Sequence, residues 1–134
     1  MKLITRDADY AIRALVFMAR HQDKVTSVGT LNKALKIPWP FLRKLLQALN
    51  KKGLLVSHKG IGGGFRLRRR PEEISLVDLI KIFQGRFSLN QCFFKHLPCP
   101  RQKTCLLKKK VSAIERYVFR QLKGVTVASL SRRG

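Results

Sequence analysis

Three cysteines are the residues whose type and spacing most clearly indicate chemistry. Cys92, Cys99 and Cys105 have six and five residues between them. Structural zinc sites usually contain cysteine pairs with roughly two to four residues between them, because a short loop wraps a small tetrahedral ion. The wider spacing favours a larger metal cluster that is reached from several points of one loop. Zinc binding and thiol oxidation stay open as other uses of these side chains.

The setting of the cysteines also argues against a purely structural role. Residues 98–105 are polar and rich in proline, whereas buried structural cysteines prefer apolar neighbours. The N-terminus does not resemble a signal peptide, and no apolar run approaches the ~18 residues that span a membrane. We therefore expect a cytoplasmic protein without a membrane partner, in which the cysteines are thiols or metal ligands rather than disulfides.

The charge of the chain indicates a polyanionic partner. Lysine and arginine number 29 against 7 aspartates and glutamates, which gives a net charge of +22. Residues 24–71 contain twelve lysines and arginines and no acidic residue. Such a field recruits nucleic acid, because neutralising phosphates releases their counterions. An anionic lipid surface is less favoured, since the basic residues are not confined to one amphipathic helix.

Two predicted helices joined by a tight turn follow the N-terminal helix. Ser27 can cap the first of them, and Lys36 and Ile37 form the turn. Pro38 then suits the start of the next helix, where its missing N–H has no cost, and Gly53 ends that helix. We expect Leu31, Ala34 and Leu35 on the buried face of the first helix. The second carries an apolar stripe at helical spacing, made by Phe41, Leu42, Leu45, Leu46 and Leu49. This is the pattern of a helix-turn-helix.

The glycine-rich segment 59–64 lies between two strand-like runs. A phosphate-binding glycine loop would lead into a helix, whereas this one leads into the alternating run Phe65-Arg66-Leu67-Arg68. Strand, glycine turn and strand after a helix-turn-helix indicate a wing, and Lys59 at its start can reach the minor groove or a phosphate.

The flanking elements complete a mainly α fold with a small two-stranded wing. Thr5 caps a first helix that ends near Arg20, and Ser75 caps a fourth helix. A long helix over 106–122 places Leu107, Val111, Ile114, Val118 and Leu122 on one face, which favours dimerisation, with packing on its own domain as the alternative. We divide the chain into a winged helix-turn-helix domain (1–83), a cysteine-containing loop (84–105), a dimerisation helix (106–123) and a C-terminal tail (124–134).

The sequence resembles the Rrf2 family of winged-helix regulators, which includes iron–sulfur and nitric-oxide sensors of the IscR, NsrR and RirA type. The resemblance runs over residues 3–130. It is carried by DYAIRAL (9–15), FLRKLL (41–46), KGLL (52–55), the wing KGIGGGFRL (59–67), ISLVDLI (74–80), the three-cysteine loop and VTVASL (125–130).

The resemblance implies a homodimer that binds double-stranded operator DNA and carries one iron–sulfur cluster per subunit. Cys92, Cys99 and Cys105 would hold the cluster, with four irons favoured over two. IscR-like members supply a histidine three residues after the last cysteine, where this chain has Lys108. NsrR-like members use an aspartate from the partner subunit, and Asp9 stands at that place. This favours an NsrR-like sensor of nitric oxide, and sensing of iron or of redox state fits the sequence nearly as well.

The DNA contacts implied are distributed over the third helix and the wing. Arg43 is the best candidate for reading guanine and Lys44 for a phosphate. The other predicted DNA-binding residues are Pro38, Trp39, Pro40, His58, Lys59, Gly60, Gly62, Gly63 and Arg66. Pro38, Trp39 and Pro40 replace the small polar residues usual at this helix start, and Ile61 replaces a common wing proline, so the family's operator cannot be transferred.

The sequence therefore predicts a DNA-binding regulator, a repressor in its cluster-bound state, and not an enzyme. The histidines are scattered and form no nucleophile–base arrangement. Two alternatives stay open: a winged-helix regulator that uses its cysteines as a thiol sensor or zinc site, and a basic RNA-binding protein.

Overall fold

The computed structural model describes residues 3–85 and 105–132 of the 134-residue chain. In these two ranges it is mainly helical with one two-stranded antiparallel sheet, which confirms the predicted fold class. The elements are α1 (Arg6–Arg20), α2 (Val28–Leu35), α3 (Trp39–Lys51), β1 (Leu55–His58), β2 (Gly64–Leu67), a 3-10 turn (Pro71–Glu73), α4 (Leu76–Gln84), α5 (Leu106–Lys123) and α6 (Val127–Ser131).

Helix α1 lies at the centre of the domain and contacts α2, α3, α4, α6 and β2. Thr5 caps its N-terminus, as the sequence predicts. Three small residues of α1, Ala8, Ala11 and Ala14, are fully buried. Their short side chains let neighbouring helices approach closely, while Leu15 and Met18 fill the space between those helices.

Helices α2 and α3 form the predicted helix-turn-helix. Ser27 caps α2, and its hydroxyl accepts the N–H of Thr30 at 3.0 Å. Lys36 ends α2 in the left-handed region (φ 55°). The Asn32 side-chain amide donates to the Ile37 carbonyl at 2.7 Å, which fixes the turn.

The buried face of the helix-turn-helix differs from the prediction at one residue. Leu31 is buried as expected, but Ala34 is exposed, and Ile37 in the turn is buried in its place. The left-handed Lys36 redirects the chain, so that the residue after it points into the core.

The wing is a hairpin with a third backbone partner. β1 pairs with β2 in a register that places Leu55 opposite Leu67 and His58 opposite Gly64. Thr26, in the segment between α1 and α2, exchanges two hydrogen bonds of 2.8 Å with Phe65. The hairpin is thereby attached to the helical part of the domain and does not project from it alone.

Two wing glycines are required by close backbone contacts. A Cβ added at Gly63 would lie 2.3 Å from the His58 carbonyl oxygen, and one at Gly64 would lie 2.2 Å from that of Thr26. Both distances are far shorter than any van der Waals contact, so these positions exclude a side chain. Gly60 and Gly62 have positive φ angles, and an added Cβ at either would meet nothing within 4 Å.

The chain after α5 returns to the domain. Ser75 caps α4, as predicted. Ser75 also bridges to Thr126, and the Val127 N–H donates to the Ile74 carbonyl at 2.9 Å. Val127 is fully buried, and α6 packs against α1. The C-terminal segment is thus part of the core of the winged helix-turn-helix domain.

Gln84 belongs to α4, not to the loop that is predicted to begin at this residue. Its side-chain oxygen accepts the Thr5 N–H at 2.8 Å, and its amide donates to the Leu3 carbonyl at 3.3 Å. These bonds hold the entry of α1 to the end of α4. No helix within 3–85 or 105–132 has the length and apolar character to cross a membrane.

Gly64→Ala should destabilise the protein through the clash with Thr26. We expect the free energy of unfolding to fall by about 3 kcal/mol, as for severe overpacking. The matched control Gly60→Ala should cost about 1 kcal/mol, because only its positive φ is strained. Urea denaturation measures both, and faster hydrogen exchange of the Phe65 amide would locate the effect in the wing. Equal costs for the two variants would contradict this account of the wing.

Candidate DNA-binding surface and cysteine site

The start of α3 leaves backbone donors free for a ligand. Pro38 occupies the N-cap and no side chain accepts a hydrogen bond there. Pro40 has no N–H, so the amides of Trp39 and Phe41 are the donors of the first turn. A helix start of this kind favours negative charge, including a DNA phosphate.

Trp39 is the most prominent apolar side chain at this helix start. It is 47% exposed, and its ring lies against Gly29 of α2, where an added Cβ would be 3.7 Å from Trp39 Cζ2. The indole is therefore supported on one side and open on the other. Such a surface can contact a thymine methyl group, which requires no hydrogen bond.

The outward face of α3 is cationic. Arg43 and Lys44 are both exposed, and neither forms an ion pair with any residue in the described ranges. The opposite face is buried in the core and consists of Leu42, Leu45, Leu46 and Leu49. The helical period thus fixes α3 in the domain and directs both cations to solvent.

Phe41 connects the start of α3 to α1. The Arg6 guanidinium lies 4.3 Å from the centroid of the Phe41 ring. The Tyr10 ring is tilted against Phe41, with 6.5 Å between centroids. A cation over an aromatic face and a tilted ring pair are both attractive, so the first turns of the two helices are held together.

The predicted wing residues lie along one exposed edge of the hairpin. His58, Lys59, Gly60 and Gly62 are exposed, whereas Gly63 is half-buried. Arg66 is also exposed, and its Nη2 donates to the Gln22 carbonyl at 3.4 Å. The structure therefore places these positions where DNA could reach them, although Gly63 serves the hairpin itself.

A basic depression extends this surface beyond the residues predicted from the sequence. It has a volume of about 270 Å³. Its cationic lining residues are Lys24, Arg66, Arg68, Arg69 and Arg70, and the rest are Met18, Gln22 and Leu67. Residues 24–71, which contain no acidic residue, indicated a basic surface from the sequence. Only the folded chain shows that Lys24 lines the same depression as the arginines.

Cys105 is the one predicted cysteine ligand within the described ranges, and Cys92 and Cys99 lie outside them. It is half-buried and occupies the N-cap of α5, where its Sγ accepts the Lys108 N–H at 3.4 Å. Residues 3–85 and 105–132 alone bring together no group of three metal-binding side chains.

Asp9 lies in the first turns of α1, with its side chain 44% exposed. Its Oδ2 accepts the Arg13 Nε–H at 3.0 Å. The carboxylate is accessible from outside the domain, and one of its oxygens is oriented by Arg13. Asp9 is therefore available to a second molecule.

Comparison with known proteins decides the family. The family model Rrf2, described as an iron-dependent transcriptional regulator, matches residues 4–133. The chain belongs to the Rrf2 family. It is 32% identical over 107 residues to the HTH-type transcriptional regulator NsrR of Shouchella clausii, a match that covers 78% of this chain and 72% of that protein.

Two solved structures share the Rrf2 fold with this chain. CymR of B. subtilis, described as its global cysteine regulator, gives a TM-score of 0.79 at 23% identity, covering 98% of this chain and 97% of that chain. IscR of T. potens gives a TM-score of 0.76 at 21% identity, covering 97% and 85%. The protein is thus a DNA-binding transcription regulator with a winged helix-turn-helix, and not an enzyme.

Substitutions on α3 of this Rrf2 protein should separate base reading from phosphate binding. The probe is a DNA duplex that the protein selects from a random pool. Arg43→Gln should weaken binding about tenfold to a hundredfold and relax the base preference at one position, because glutamine cannot replace the bidentate pairing of arginine with guanine. Lys44→Gln should weaken binding to all sequences alike. It should also reduce the salt slope, the dependence of the logarithm of the binding constant on that of the salt concentration, by about 0.9 for each phosphate that the lysine neutralises.

Arg116→Gln is the matched control, since Arg116 is exposed on α5. It removes the same charge as Arg43→Gln and should change neither base preference nor the salt slope. Filter binding or fluorescence anisotropy at several salt concentrations measures all three variants. An Arg43→Gln protein that keeps the full base preference would contradict the assignment.

Proposed function

We propose that this protein is a homodimeric repressor whose operator affinity depends on an iron–sulfur cluster. Cys92, Cys99 and Cys105 hold a four-iron cluster, and Asp9 of the partner subunit supplies the fourth ligand. The observation that carries the DNA-binding part is the pair of exposed cations on α3 beside the attached wing. The family's iron-dependent description supports the cofactor.

The donor set suits such a cluster. Thiolates are the ligands that iron–sulfur clusters require, and the Cys105 sulfur already accepts an N–H at the start of α5. Lys108 stands where IscR-like relatives supply histidine, and its ammonium is no iron ligand, so the fourth ligand must come from elsewhere. When bound, the cluster supplies a reactive centre that nitric oxide, oxidants or iron shortage can damage.

Asp9 is suited to the fourth position because, within the described ranges, only one of its carboxylate oxygens is engaged. Arg13 engages Oδ2, and the side chain is accessible from outside. Arg13 would orient the carboxylate in the way that outer hydrogen bonds orient metal ligands. A carboxylate is a hard ligand beside soft thiolates, so it is the ligand most readily displaced.

Contacts between α1 and α3 offer a route from this ligand to the DNA-binding surface. Asp9 precedes Tyr10, whose ring packs on Phe41 two residues after Trp39. A pull on α1 through Asp9 would be transmitted to the start of α3. Losing that ligand would shift the spacing of the two α3 helices in the dimer, and half-site spacing determines operator fit.

The dimer would form through an exposed apolar face of α5. The five apolar residues predicted to share one face of α5 differ in their exposure. Val111, Val118 and Leu122 are half-buried, and α5 lies against α4. Leu107 and Ile114 are exposed. Tyr117 continues the exposed face. No residue of α5 is fully buried, so this helix is covered on one side and has a free apolar surface for a second copy.

Protein purified without oxygen should contain iron and sulfide and show the visible absorbance of a cluster. Cys105→Ser should lose that absorbance, because a thiolate ligand is removed. Iron removal from the native protein should weaken operator binding tenfold or more, about 1.4 kcal/mol. An unchanged operator affinity after iron removal would contradict the coupling. If the protein is colourless and its operator affinity changes on thiol oxidation, the cysteines act as a thiol sensor and the cluster proposal is wrong.

Asp9→Ala should shift the visible spectrum or shorten the lifetime of the cluster, while the far-ultraviolet circular dichroism stays the same. Asp7→Ala is the matched control, because Asp7 is an exposed aspartate in the same first turns of α1. Identical spectra for the native protein and Asp9→Ala would remove Asp9 from the ligand set. Tighter binding to duplex RNA than to DNA would overturn the regulator proposal as a whole.

Ile114→Glu should convert the dimer to monomers, since it places a charge in the apolar face. The native protein should sediment at twice the chain mass of 15.4 kDa. Ala34→Glu is the matched control, because Ala34 is exposed on α2, outside this face, and the substitution adds the same charge. A dimer that survives Ile114→Glu unchanged would place the interface elsewhere.

A further inference from the structure

We propose that Ile61 at the tip of the wing is an apolar wedge that enters the minor groove and partly unstacks a base step, so that the bound DNA is bent. This inference rests on the proposed DNA-binding function and adds a deformation of the DNA to it. It assigns a role to the one apolar side chain in the wing turn.

Ile61 is the most exposed large apolar side chain in the described ranges. Its exposure is 109%, as great as in an extended peptide, whereas the next most exposed large apolar residue in the described ranges, Leu106 on α5, reaches 74%. An isoleucine in this position gains nothing from the fold of its own chain. Its apolar surface can be removed from water only by a bound partner.

The backbone around Ile61 gives the tip a thin profile. Gly60 and Gly62 stand on either side with φ angles of 97° and 76°, and the Gly63 N–H donates to the Gly60 carbonyl at 3.0 Å. The neighbours of Ile61 therefore have no side chains, and its branched side chain is the leading group of a tight turn. The minor groove is only about 6 Å wide, so a bulkier tip could not enter it.

Backbone hydrogen bonds hold the base of the turn that carries Ile61. The paired strands end at His58 and Gly64, directly below the turn, and the Gly63 backbone packs against the His58 carbonyl. The two hydrogen bonds between Thr26 and Phe65 attach the hairpin to the domain. The base of the turn that carries Ile61 is therefore attached to the domain.

Cationic residues beside the tip can hold the DNA backbone while the wedge enters. Lys59 is exposed two residues before Ile61 and forms no ion pair in the part of the chain that the structure describes. Arg66 lies lower on the hairpin, opposite Val56, and its Nη2 donates to the Gln22 carbonyl at 3.4 Å. Architectural DNA-binding proteins combine such phosphate contacts with an inserted apolar side chain and bend DNA toward the major groove.

A bend measurement tests the wedge directly. The probe is a duplex that the protein selects from a random pool, labelled at its ends for energy transfer, with 2-aminopurine at steps across the wing contact. The native protein should bend the duplex and raise the 2-aminopurine fluorescence at one step. Ile61→Ala should lose at least half of the bend and that fluorescence rise, and bind about tenfold more weakly. Its salt slope should not change, because isoleucine neutralises no phosphate.

Two further variants complete the test. Ile61→Leu keeps a large apolar group and should keep the bend, whereas Val56→Ala removes a partly exposed apolar side chain from β1 and should leave it unchanged. A straight native complex, or an Ile61→Ala complex with the native bend, would overturn the wedge and leave DNA binding intact. Failure of the native protein to bind any duplex would instead overturn the proposed function, and the wedge with it.

Discussion

The packing of α1 is the constraint on which the rest of the structure depends. Its buried alanines allow α3, α4 and α6 to approach one helix closely, and no larger side chain would fit there without separating them. Because α3 is packed in this way on its leucine face, its cations must face solvent. The candidate DNA-binding surface is thus a consequence of how α1 is packed, and so is the position of Asp9 on the accessible end of the same helix.

The proposed control of DNA binding would act through the same helix. The first turn of α1 is held to α4 through Gln84 and to α3 through Arg6, Tyr10 and Phe41. A ligand that moves this turn must strain either the hydrogen bonds of the Gln84 side chain or the contacts of the Phe41 ring with Arg6 and Tyr10. Since packed cores are bistable and not continuously deformable, a small shift there can be converted into a change in the position of α3. Because the high positive charge favours DNA binding in general, the proposed control would act through geometry.

Local signals made much of this predictable from the sequence. The apolar period of α3, the cap residues Thr5, Ser27 and Ser75, and the glycine turn between two strands are all short-range patterns, and each lies in the structure where it was expected. The exposure of Arg43 and Lys44 follows from the same helical period.

What the sequence could not supply depends on residues far apart in the chain. Three such features have no local sequence pattern that predicts them. They are the bridge from Thr26 to Phe65, the hydrogen bond of Gln84 with Thr5 across 79 residues, and the depression that Lys24 shares with the arginines after β2. The prediction for Ala34 was wrong because the left-handed Lys36 brings Ile37 into the core instead. Which apolar residues of α5 are half-buried and which are exposed likewise depends on how closely α4 approaches, which helical spacing alone does not specify.

Chemical footprinting of the selected operator tests the central claim most directly, because it reports grooves and symmetry together. The account predicts two related half-sites about one helical turn apart, with guanine N7 protected in the major groove by α3. It also predicts protection of the minor-groove sugars beside each half-site by the wing. Even protection of the backbone without half-sites or guanine protection would show non-specific binding of a polyanion, and would contradict the account.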